Sequence, residues 1–214
     1  MNVLVVGASG QIGRQLVRML AESGKHRVTA MVRRQEQADK LLQEGIQAVN
    51  GNLLAGVEEL VRLVTGFDSI VFTAGSGGST GADMTLLIDL DGAVKMMEAA
   101  ELAGVKRFVM VSAMGAHRRD RWVEQIKPYY AAKHYADRIL VSTSLDYTII
   151  RPGALLNEPG TGRIACAEDL ERGAIPREDV ARMIQAVLDD TRTYRRAFDL
   201  KSGDTSIEAA LQQL

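Results

Sequence analysis

The sequence predicts an α/β fold in which a doubly wound parallel sheet is covered by helices on both faces. Helical stretches and short runs of Val, Ile or Phe alternate along the chain, and a glycine closes the helical stretch at four junctions, in LAESG, LLQEG, LVRLVTG and AAELAG. The runs VLVV, SIVF and RFVMV are apolar throughout, as is typical of parallel strands buried on both faces. These two observations predict the fold class.

The order of the elements follows from the glycine junctions, since glycine takes the left-handed conformation that ends a helix at little steric cost. Strands are predicted near residues 2–6, 27–32, 46–50, 69–73, 106–111 and 146–150. Helices are predicted near residues 11–23, 35–44, 56–65, 82–103 and 128–142. After Arg151 we expect a loop rich in Gly and Pro, a helix from near Pro176, a strand in YRRAFDL and a closing helix after Ser206.

The composition excludes several classes of protein. With 26 Lys and Arg against 27 Asp and Glu, the net charge of −1 argues against direct binding to nucleic acid or to anionic lipid. The single Cys166 and the scattered His26, His117 and His134 predict neither an internal disulfide nor a metal site, and they indicate a reducing, cytoplasmic environment. No apolar stretch approaches the roughly 20 residues that span a bilayer, and the first strand reaches a glycine turn too early for a signal peptide. We therefore expect a soluble protein that makes no membrane contact.

A glycine-rich loop joins the first strand to the first helix, in the sequence GASGQIG. Gly7 permits a tight turn, Gly10 allows the backbone to approach a diphosphate, and Gly13 allows close packing of the helix on the strand. The free N–H groups and the positive end of the helix dipole meet where phosphate would bind. Such turns also serve geometry alone, but the strand, loop and helix context favours a dinucleotide site. Its predicted contacts in this loop are Gly7, Ser9, Gly10, Gln11, Ile12 and Gly13.

The second strand ends in VTAMVRR, where an NAD-binding unit usually has an acidic residue for the ribose hydroxyls. Arg33, and with it Arg34, could instead hold a 2′-phosphate through charge-assisted hydrogen bonds. Two arginines after a strand are also common as solvated turn residues. We expect NADP as the cofactor, with NAD still open.

Candidate catalytic residues follow the fifth strand, which places Ser112 at the edge of the sheet where doubly wound folds bind ligands. Tyr129 and Lys133, four residues apart, share one helical face. A phenol with its reference pKa near 10 is a poor acid at neutral pH. We expect the charge of Lys133 to lower that pKa by about two or three units, which requires only ~3–4 kcal/mol from a close charge in a dry site. Ser112 would orient the substrate oxygen. Simple packing on a helix surface is the alternative for the Tyr and Lys, and it is the expected role of Tyr130 and Tyr135.

Together with these features, the segments VKRFVMVSAMG and LDYTIIRPGALLNEPGTGRI resemble the atypical NAD(P)-binding short-chain dehydrogenase/reductase group. Within it, the chain is most similar to small bacterial proteins named as NAD-dependent epimerase/dehydratase or NmrA-like oxidoreductases, over essentially its whole length. The resemblance implies a Rossmann fold and a catalytic triad of Ser112, Tyr129 and Lys133, with Lys133 also on the nicotinamide ribose. It implies that the backbone of Pro152 and Gly153 lines the nicotinamide pocket. Further cofactor contacts are expected at Leu53, Ala74 and Gly75.

Two residues depart from the pattern of that group. Asn52, in GNL after the third strand, replaces the acid that commonly faces adenine, and an amide can still serve there. Asp89 stands where many relatives have Asn in a helix that supports the active site, which would change the proton relay.

The expected function is NADP(H)-dependent reduction, by hydride transfer, of a small carbonyl or quinone-like compound.

We expect a single domain over residues 1–214, in which residues about 152–214 add a small lobe on the substrate side. About sixty residues follow the sixth strand, too few for a nucleotide-sugar domain, so epimerase or dehydratase activity is a lesser hypothesis. A non-catalytic NAD(P)-sensing regulatory module and a flavin or quinone reductase that does not need Tyr129 are two further hypotheses, because a fold does not fix a function.

Apolar faces on the helices near 82–103 and 128–142 would allow a homodimer, but core packing explains them equally well.

The substrate pocket is expected between the segment joining Ser112 to Tyr129, the loop after Pro152, and Trp122. Three arginines in GAHRRDRWVEQIKP could attract an anionic substrate. A basic surface turn is the commoner explanation for them.

Overall fold

The protein has an α/β architecture in the computed structural model, which describes residues 1–78 and 80–213. Its strands are β1 (Asn2–Val6), β2 (Arg27–Val32), β3 (Gln47–Asn50), β4 (Ser69–Phe72), β5 (Arg107–Val111), β6 (Asp146–Pro152), β7 (Ala154–Leu156), β8 (Arg163–Ala167), β9 (Ala174–Pro176), β10 (Arg196–Ser202) and β11 (Thr205–Ser206). Its helices are α1 (Gln11–Ser23), α2 (Gln35–Gln43), α3 (Val57–Val64), α4 (Ala82–Met84), α5 (Ala93–Ala103), α6 (Lys127–Ser142), α7 (Arg177–Val187) and α8 (Ile207–Leu211). A π-helical segment, Thr85–Gly92, joins α4 to α5.

Nine of the strands form one sheet, in the order β3, β2, β1, β4, β5, β6, β10, β8, β11. The strands from β3 to β10 are parallel, whereas β8 and β11 pair antiparallel at the far edge. The order from β3 to β6 is that of a Rossmann fold, with its switch point between β1 and β4. The predicted doubly wound fold is confirmed, and its ligand crevice lies at the carboxyl ends of these strands.

Both faces of the sheet are buried, which explains why its strands are apolar throughout. Successive residues of a strand point to opposite faces. In β1, Val3 and Val5 belong to the core cluster that contains apolar residues of α1, α2 and α7. Leu4 and Val6 belong to the cluster on the other face, with α3, α5 and α6.

The helix predicted over residues 82–103 is interrupted by the π-helical segment Thr85–Gly92. A π-helical turn contains an extra residue and changes the direction of the side chains on it. Here it buries the carboxylate of Asp89. Gly92 passes so close to Leu53 that a Cβ on the glycine would lie 3.2 Å from the leucine Cβ. Periodicity predicts an ordinary helix at this position because the interruption depends on these tertiary contacts.

The chain after β6 continues the main sheet. The predicted strand in YRRAFDL is present as β10, two residues later than expected, and the predicted helices near Pro176 and after Ser206 are α7 and α8. β7 and β9 pair in a separate two-stranded sheet. The sequence does not indicate β7, β8, β9 or β11. The strands β7, β9 and β11 contain only two or three residues, too few for a periodicity, and β8 lies in the segment where a loop is expected.

No helix within residues 1–78 and 80–213 combines the length and the apolarity needed to cross a membrane. The helical regions near 82–103 and 128–142, whose apolar faces would allow a homodimer, do expose apolar side chains, and these include Leu86, Leu87, Leu102, Ile139 and Val141. A homodimer through these faces stays a prediction.

The turn after β1 requires glycine at two positions. Gly7 has a φ of +82°, and a Cβ there would lie 2.6 Å from backbone atoms of Ala74. A Cβ on Gly13 would lie 2.4 Å from the carbonyl oxygen of Gly7. The first turn of α1 therefore packs directly on the loop, and the loop packs on the residues that follow β4.

The substitution Gly13→Ala tests this close packing. We expect it to lower the free energy of unfolding by about 2–3 kcal/mol, because the methyl group collides with backbone that cannot move aside. Gly24→Ala is the matched control, since Gly24 has a φ of +62° but no atom within 4 Å of an added Cβ. For Gly24→Ala the free energy of unfolding should fall by about 1 kcal/mol, since the left-handed conformation is the sole expected cost. Urea unfolding measures both, and equal losses would contradict the packing explanation.

Candidate active site

A groove of about 390 Å³ opens at the carboxyl ends of β1, β2 and β4. It lies at the switch point of the sheet, where doubly wound folds bind nucleotides. The predicted cofactor-binding residues that line it are Gly7, Ser9, Gly10, Arg33, Leu53, Ala74 and Gly75.

The beginning of α1 is suited to a diphosphate. Gly10 is its N-cap, and the first turn contains no acidic residue, so nothing there opposes the positive end of the helix dipole. The N–H groups of the first turn have no partner within the helix. Ile12 is buried in the core and Gly13 has no side chain, so these two predicted residues can contribute only their backbone N–H groups to diphosphate binding. The third predicted residue of this turn, Gln11, is exposed. The free N–H groups of this turn, with no acidic residue in it, fit the diphosphate of a dinucleotide.

The two arginines after β2 have different positions. Arg33 lines the groove, whereas Arg34 is the N-cap residue of α2 and is absent from the lining. Asn52 is also absent from it, because its Oδ1 accepts a hydrogen bond from Leu54 N at 3.0 Å in a local turn. The structure thus brings Arg33 to the expected position but does not bring Arg34 or the Asn52 side chain.

The predicted catalytic residues meet at the end of β5 and the beginning of α6. The Nζ of Lys133 lies 3.1 Å from Asp89 Oδ1 and donates to Val111 O at 3.3 Å. The other carboxylate oxygen of Asp89 accepts from Ser76 N at 2.9 Å. The ion pair is almost fully buried. Lys133 Nζ also lies 5.7 Å from the centre of the Tyr129 ring.

The hydroxyl of Ser112 is buried and has no hydrogen-bond partner among the described residues. A buried polar group of this kind costs free energy unless something binds it. Ser112 and Tyr129 line the same pocket, of about 450 Å³, together with Pro152 and Gly153. The backbone at these last two residues is fixed, since Pro152 O accepts from Met114 N and Gly153 N donates to Leu200 O.

Burial raises the pKa of the Tyr129 phenol, and this effect exceeds the opposing effect of the Lys133 charge. Asp89 adds to the rise. Burial would lower the pKa of Lys133, but Tyr129 and Asp89 outweigh it and raise that pKa. The net direction for the phenol is therefore opposite to the expectation from sequence, because burial of the phenol outweighs the charge of Lys133, and Asp89 offsets part of that charge.

The groove and the Ser112 pocket belong to one cleft. A third pocket, of about 420 Å³, lies between them. It shares Ser76 and Gly77 with the groove and shares Ile126 and Tyr129 with the Ser112 pocket. A ligand can therefore extend from the glycine loop past the Tyr129 side chain to Ser112.

A family model described as NAD(P)H-binding matches residues 7–191. The chain belongs to this NAD(P)H-binding family. A Bacillus subtilis relative named uncharacterized sugar epimerase YhfK is 56% identical over 214 residues, covering 100% of both chains. A solved structure from Bacillus halodurans, with an NAD-dependent epimerase/dehydratase name, has a TM-score of 0.94 and 41% identity, with 100% of both chains covered. The oxidoreductase ylbE from Lactococcus lactis has a TM-score of 0.91 and 33% identity, with 100% of this chain and 96% of that chain covered. These likenesses confirm the resemblance and give this NAD(P)H-binding protein an oxidoreductase-like fold.

The wall of the Ser112 pocket differs from the wall expected from sequence. Trp122 is not among the lining residues; its Nε1 donates to Ala116 O at 3.1 Å, and its ring lies nearly parallel to that of Tyr130. Two arginines of the preceding loop, Arg118 and Arg121, bind Asp169. The third, Arg119, donates to the hydroxyl of Tyr135. Trp122 and these arginines therefore hold the loop together and are not part of the pocket wall.

Two arginines that sequence reasoning missed do line the Ser112 pocket, and they are Arg172 and Arg177. They flank the short strand β9 in a region where the sequence indicates a loop followed by a helix. The sequence does show this pair of basic residues, in ERGAIPRE. It does not show that they reach the pocket, because their position depends on the pairing of β9 with β7.

A cluster of His117, Asp169 and Asp199 forms beside the cleft, with ligand atoms within 4.8 Å of one another. The fold thus brings one of the scattered histidines to two carboxylates. Asp169 Oδ1 and Oδ2 already accept from Arg121 at 2.7 Å and Arg118 at 2.8 Å, which offsets the negative charge that a cation would need. Burial raises the pKa of Asp199 to about 6. Burial, with help from the nearby Arg151, lowers the pKa of His117.

The buried Asp199 makes stability depend on pH. Because its pKa is about 6 when folded against 3.8 for the free side chain, the folded protein holds a proton that the unfolded chain has released between these values. The free energy of unfolding should therefore fall as pH rises from about 4 to about 6.

We expect Asp199→Asn to remove this dependence and to stabilise the protein by about 1–3 kcal/mol above pH 6.5 or so. The amide oxygen can still accept the hydrogen bond that Leu170 N donates to Asp199. Urea unfolding across this pH range measures the effect. Asp204→Asn, at an exposed position, is the control, and a destabilised Asp199→Asn protein at neutral pH would contradict the expectation.

Proposed function

We propose that the protein is an NADP(H)-dependent oxidoreductase that reduces a small carbonyl or quinone-like compound, with Ser112, Tyr129 and Lys133 at the reacting centre. The observation that carries the proposal is the continuity of the cleft, in which Tyr129 borders both the pocket leading from the glycine loop and the Ser112 pocket. The NAD(P)H-binding family match supports the cofactor part of it.

Each residue has a defined role in this proposal. The first turn of α1 binds the diphosphate, and Arg33 binds a 2′-phosphate. When bound, the reduced cofactor supplies a hydride, and thus two electrons, to the substrate carbon. Ser112, whose hydroxyl has no hydrogen-bond partner in the part of the chain that the structure describes, donates that hydroxyl to the substrate oxygen and orients it.

Tyr129 transfers its proton to that oxygen, so that the C=O double bond becomes C–OH, and water then restores the phenol. A raised pKa keeps the phenol protonated at neutral pH but also makes it a weaker acid than a free phenol, so the phenolate that forms has to be stabilised. Lys133, held by Asp89, is close enough to stabilise the phenolate that forms.

The substitution Tyr129→Phe tests the proposal. We expect kcat/KM for NADPH-dependent reduction of aromatic aldehydes and quinones to fall about 10²–10⁴-fold, because the proton donor is lost. The affinity for NADPH should remain nearly unchanged. The matched control is Tyr135→Phe, on the same helix but with an exposed ring, and it should retain activity. NADPH consumption and calorimetric binding are the two measurements.

Three outcomes would contradict the proposal. Quinone- or flavin-dependent NADPH oxidation that survives Tyr129→Phe would indicate a reductase that does not need the phenol. Unequal affinity for oxidised and reduced cofactor, with no turnover of any compound, would indicate a sensing module. Loss of cofactor binding in Tyr129→Phe would mean that the hydroxyl serves binding and not proton transfer.

Epimerase or dehydratase activity is the second candidate, because YhfK and the Bacillus halodurans protein carry names of this kind. Against it, the chain after β6 supplies β8, β10 and β11 to the main sheet, which leaves few residues to enclose a nucleotide sugar. An epimerase returns its cofactor to the starting oxidation state in each turnover. Net NADPH consumption therefore favours reduction, and interconversion of nucleotide sugars without it would favour the second candidate.

Arg33 should decide the choice between the two coenzymes. We expect Arg33→Ala to weaken NADPH binding about tenfold, because a charge-assisted hydrogen bond to the 2′-phosphate is lost, and to leave NADH binding nearly unchanged. Arg34→Ala is the control at the neighbouring residue outside the groove, and its effect on NADPH should be small. Calorimetry with both coenzymes measures this, and equal losses of NADPH and NADH affinity would contradict the assignment.

A further inference from the structure

The Ser112 pocket has a positive charge that the proposed reaction does not use. Its ionisable lining residues, apart from tyrosines, are Arg172 and Arg177, and no Asp or Glu belongs to the lining. Most of the remaining wall is apolar, formed by Ala113, Met114, Val123, Ile126, Leu155 and their neighbours.

Neutral groups hold both arginines in place. Arg177, the first residue of α7, donates to Leu155 O at 3.1 Å and to Asn157 Oδ1 at 2.8 Å. Arg172 donates to the backbone oxygen of Arg121. Within residues 1–78 and 80–213, no acidic side chain lies within 4 Å of either guanidinium.

Several other arginines of the chain have acidic partners. Arg118, Arg121, Arg182 and Arg192 each lie within 4 Å of a carboxylate. A guanidinium that is fixed by neutral acceptors keeps its full charge and several free N–H donors. Two of them in the lining of one largely apolar pocket make that pocket suited to an anion, because the low-dielectric wall strengthens their attraction for a negative ligand.

We propose that the substrate carries an anionic oxygen group, a carboxylate or a phosphate monoester, on an apolar body, and that Arg172 and Arg177 bind this group. The apolar body contacts side chains such as Met114 and Leu155, and the reacting carbonyl faces Ser112 and Tyr129. The inference rests on the proposed reductase function for the reaction, but its binding part can be measured without turnover.

The test compares three probes of similar size, which are 4-carboxybenzaldehyde, 4-formylphenyl phosphate and the neutral methyl 4-formylbenzoate. With NADPH and the wild-type protein, we expect kcat/KM for at least one anionic probe to exceed that of the ester about tenfold or more. Which anion is preferred identifies the anionic group. This preference should decrease as ionic strength rises, because salt screens the arginine charges.

The variants Arg172→Gln and Arg177→Gln should each lower the anion-to-ester ratio of kcat/KM about five- to tenfold. The rate with the ester should change little. Arg177→Lys, which keeps the charge, should retain more of the preference than Arg177→Gln. Arg196→Gln is the matched control, since Arg196 is exposed and begins β10 at the amino edge of the sheet, opposite the cleft; it should leave the ratio unchanged.

Binding is measured separately by calorimetry with 4-(hydroxymethyl)benzoate, 4-(hydroxymethyl)phenyl phosphate and the methyl ester of the benzoate. If no aldehyde is turned over but an anionic alcohol binds more tightly and Arg172→Gln or Arg177→Gln removes the difference, the anion site stands and the reductase function fails. Turnover of acid, phosphate and ester at equal rates would overturn the anion site and leave the function intact.

An anion preference that Arg196→Gln reduces as much as the pocket variants would also overturn the site, since it would reflect the general field of the protein. If Arg177→Gln does not fold, Arg172→Gln and Arg177→Lys decide the question. Arg172 is exposed, so its substitution is compatible with the fold.

Discussion

The structure depends on a contact between backbones at the point where β1, α1 and the end of β4 meet. At Gly7 and Gly13 the chain segments approach so closely that a single added carbon would collide with main-chain atoms. This approach sets the angle at which α1 leaves the sheet, and it leaves the N–H groups of the first turn of α1 open to the groove. The helix end and the ends of β2 and β4 thereby enclose one site. A bulkier residue at either glycine would change the packing of α1 and the shape of the nucleotide site together.

The ion pair between Lys133 and Asp89 connects the helix that follows β5 with the π-helical segment that follows β4. Removing two charges from water is costly, so a pair this deeply buried contributes little net stability, but loss of one partner would leave an unpaired charge inside the protein. Asp89 is fixed in turn by the backbone N–H of Ser76, which lines the cleft. The pair therefore holds Lys133 in one position beside the Tyr129 ring. It also limits how far the lysine charge lowers the pKa of the phenol, which burial raises.

The charges near the cleft fall into two groups. The loop before α6 contains several arginines, but their partners are Asp169, Asp120 and the hydroxyl of Tyr135, so this loop is held together by its charges. Within the described residues, the arginines on either side of β9 have only neutral hydrogen-bond partners, and they border the Ser112 pocket. The position of the carboxylates therefore decides which arginines attract a ligand.

Several features of this protein depend only on residues close in sequence. The alternation of helices and strands, the glycine loop after β1, and the four-residue spacing of Tyr129 and Lys133 follow from local periodicity and local geometry, and the structure has each of them. Resemblance to a known group added Pro152 and Gly153 to the expected site, and both line the pocket.

Other features require contacts between distant parts of the chain. The burial of Asp89 beside Lys133, the pairing of β7 with β9, the convergence of His117 with Asp169 and Asp199, and the position of Arg172 and Arg177 join residues that are far apart in sequence. Sequence alone determined which segments form the sheet and which residues carry the candidate chemistry, because these depend on the pattern of neighbouring side chains. Tertiary structure decided which charges meet and which remain without a partner, because the energy of a charge depends on the groups that folding places around it.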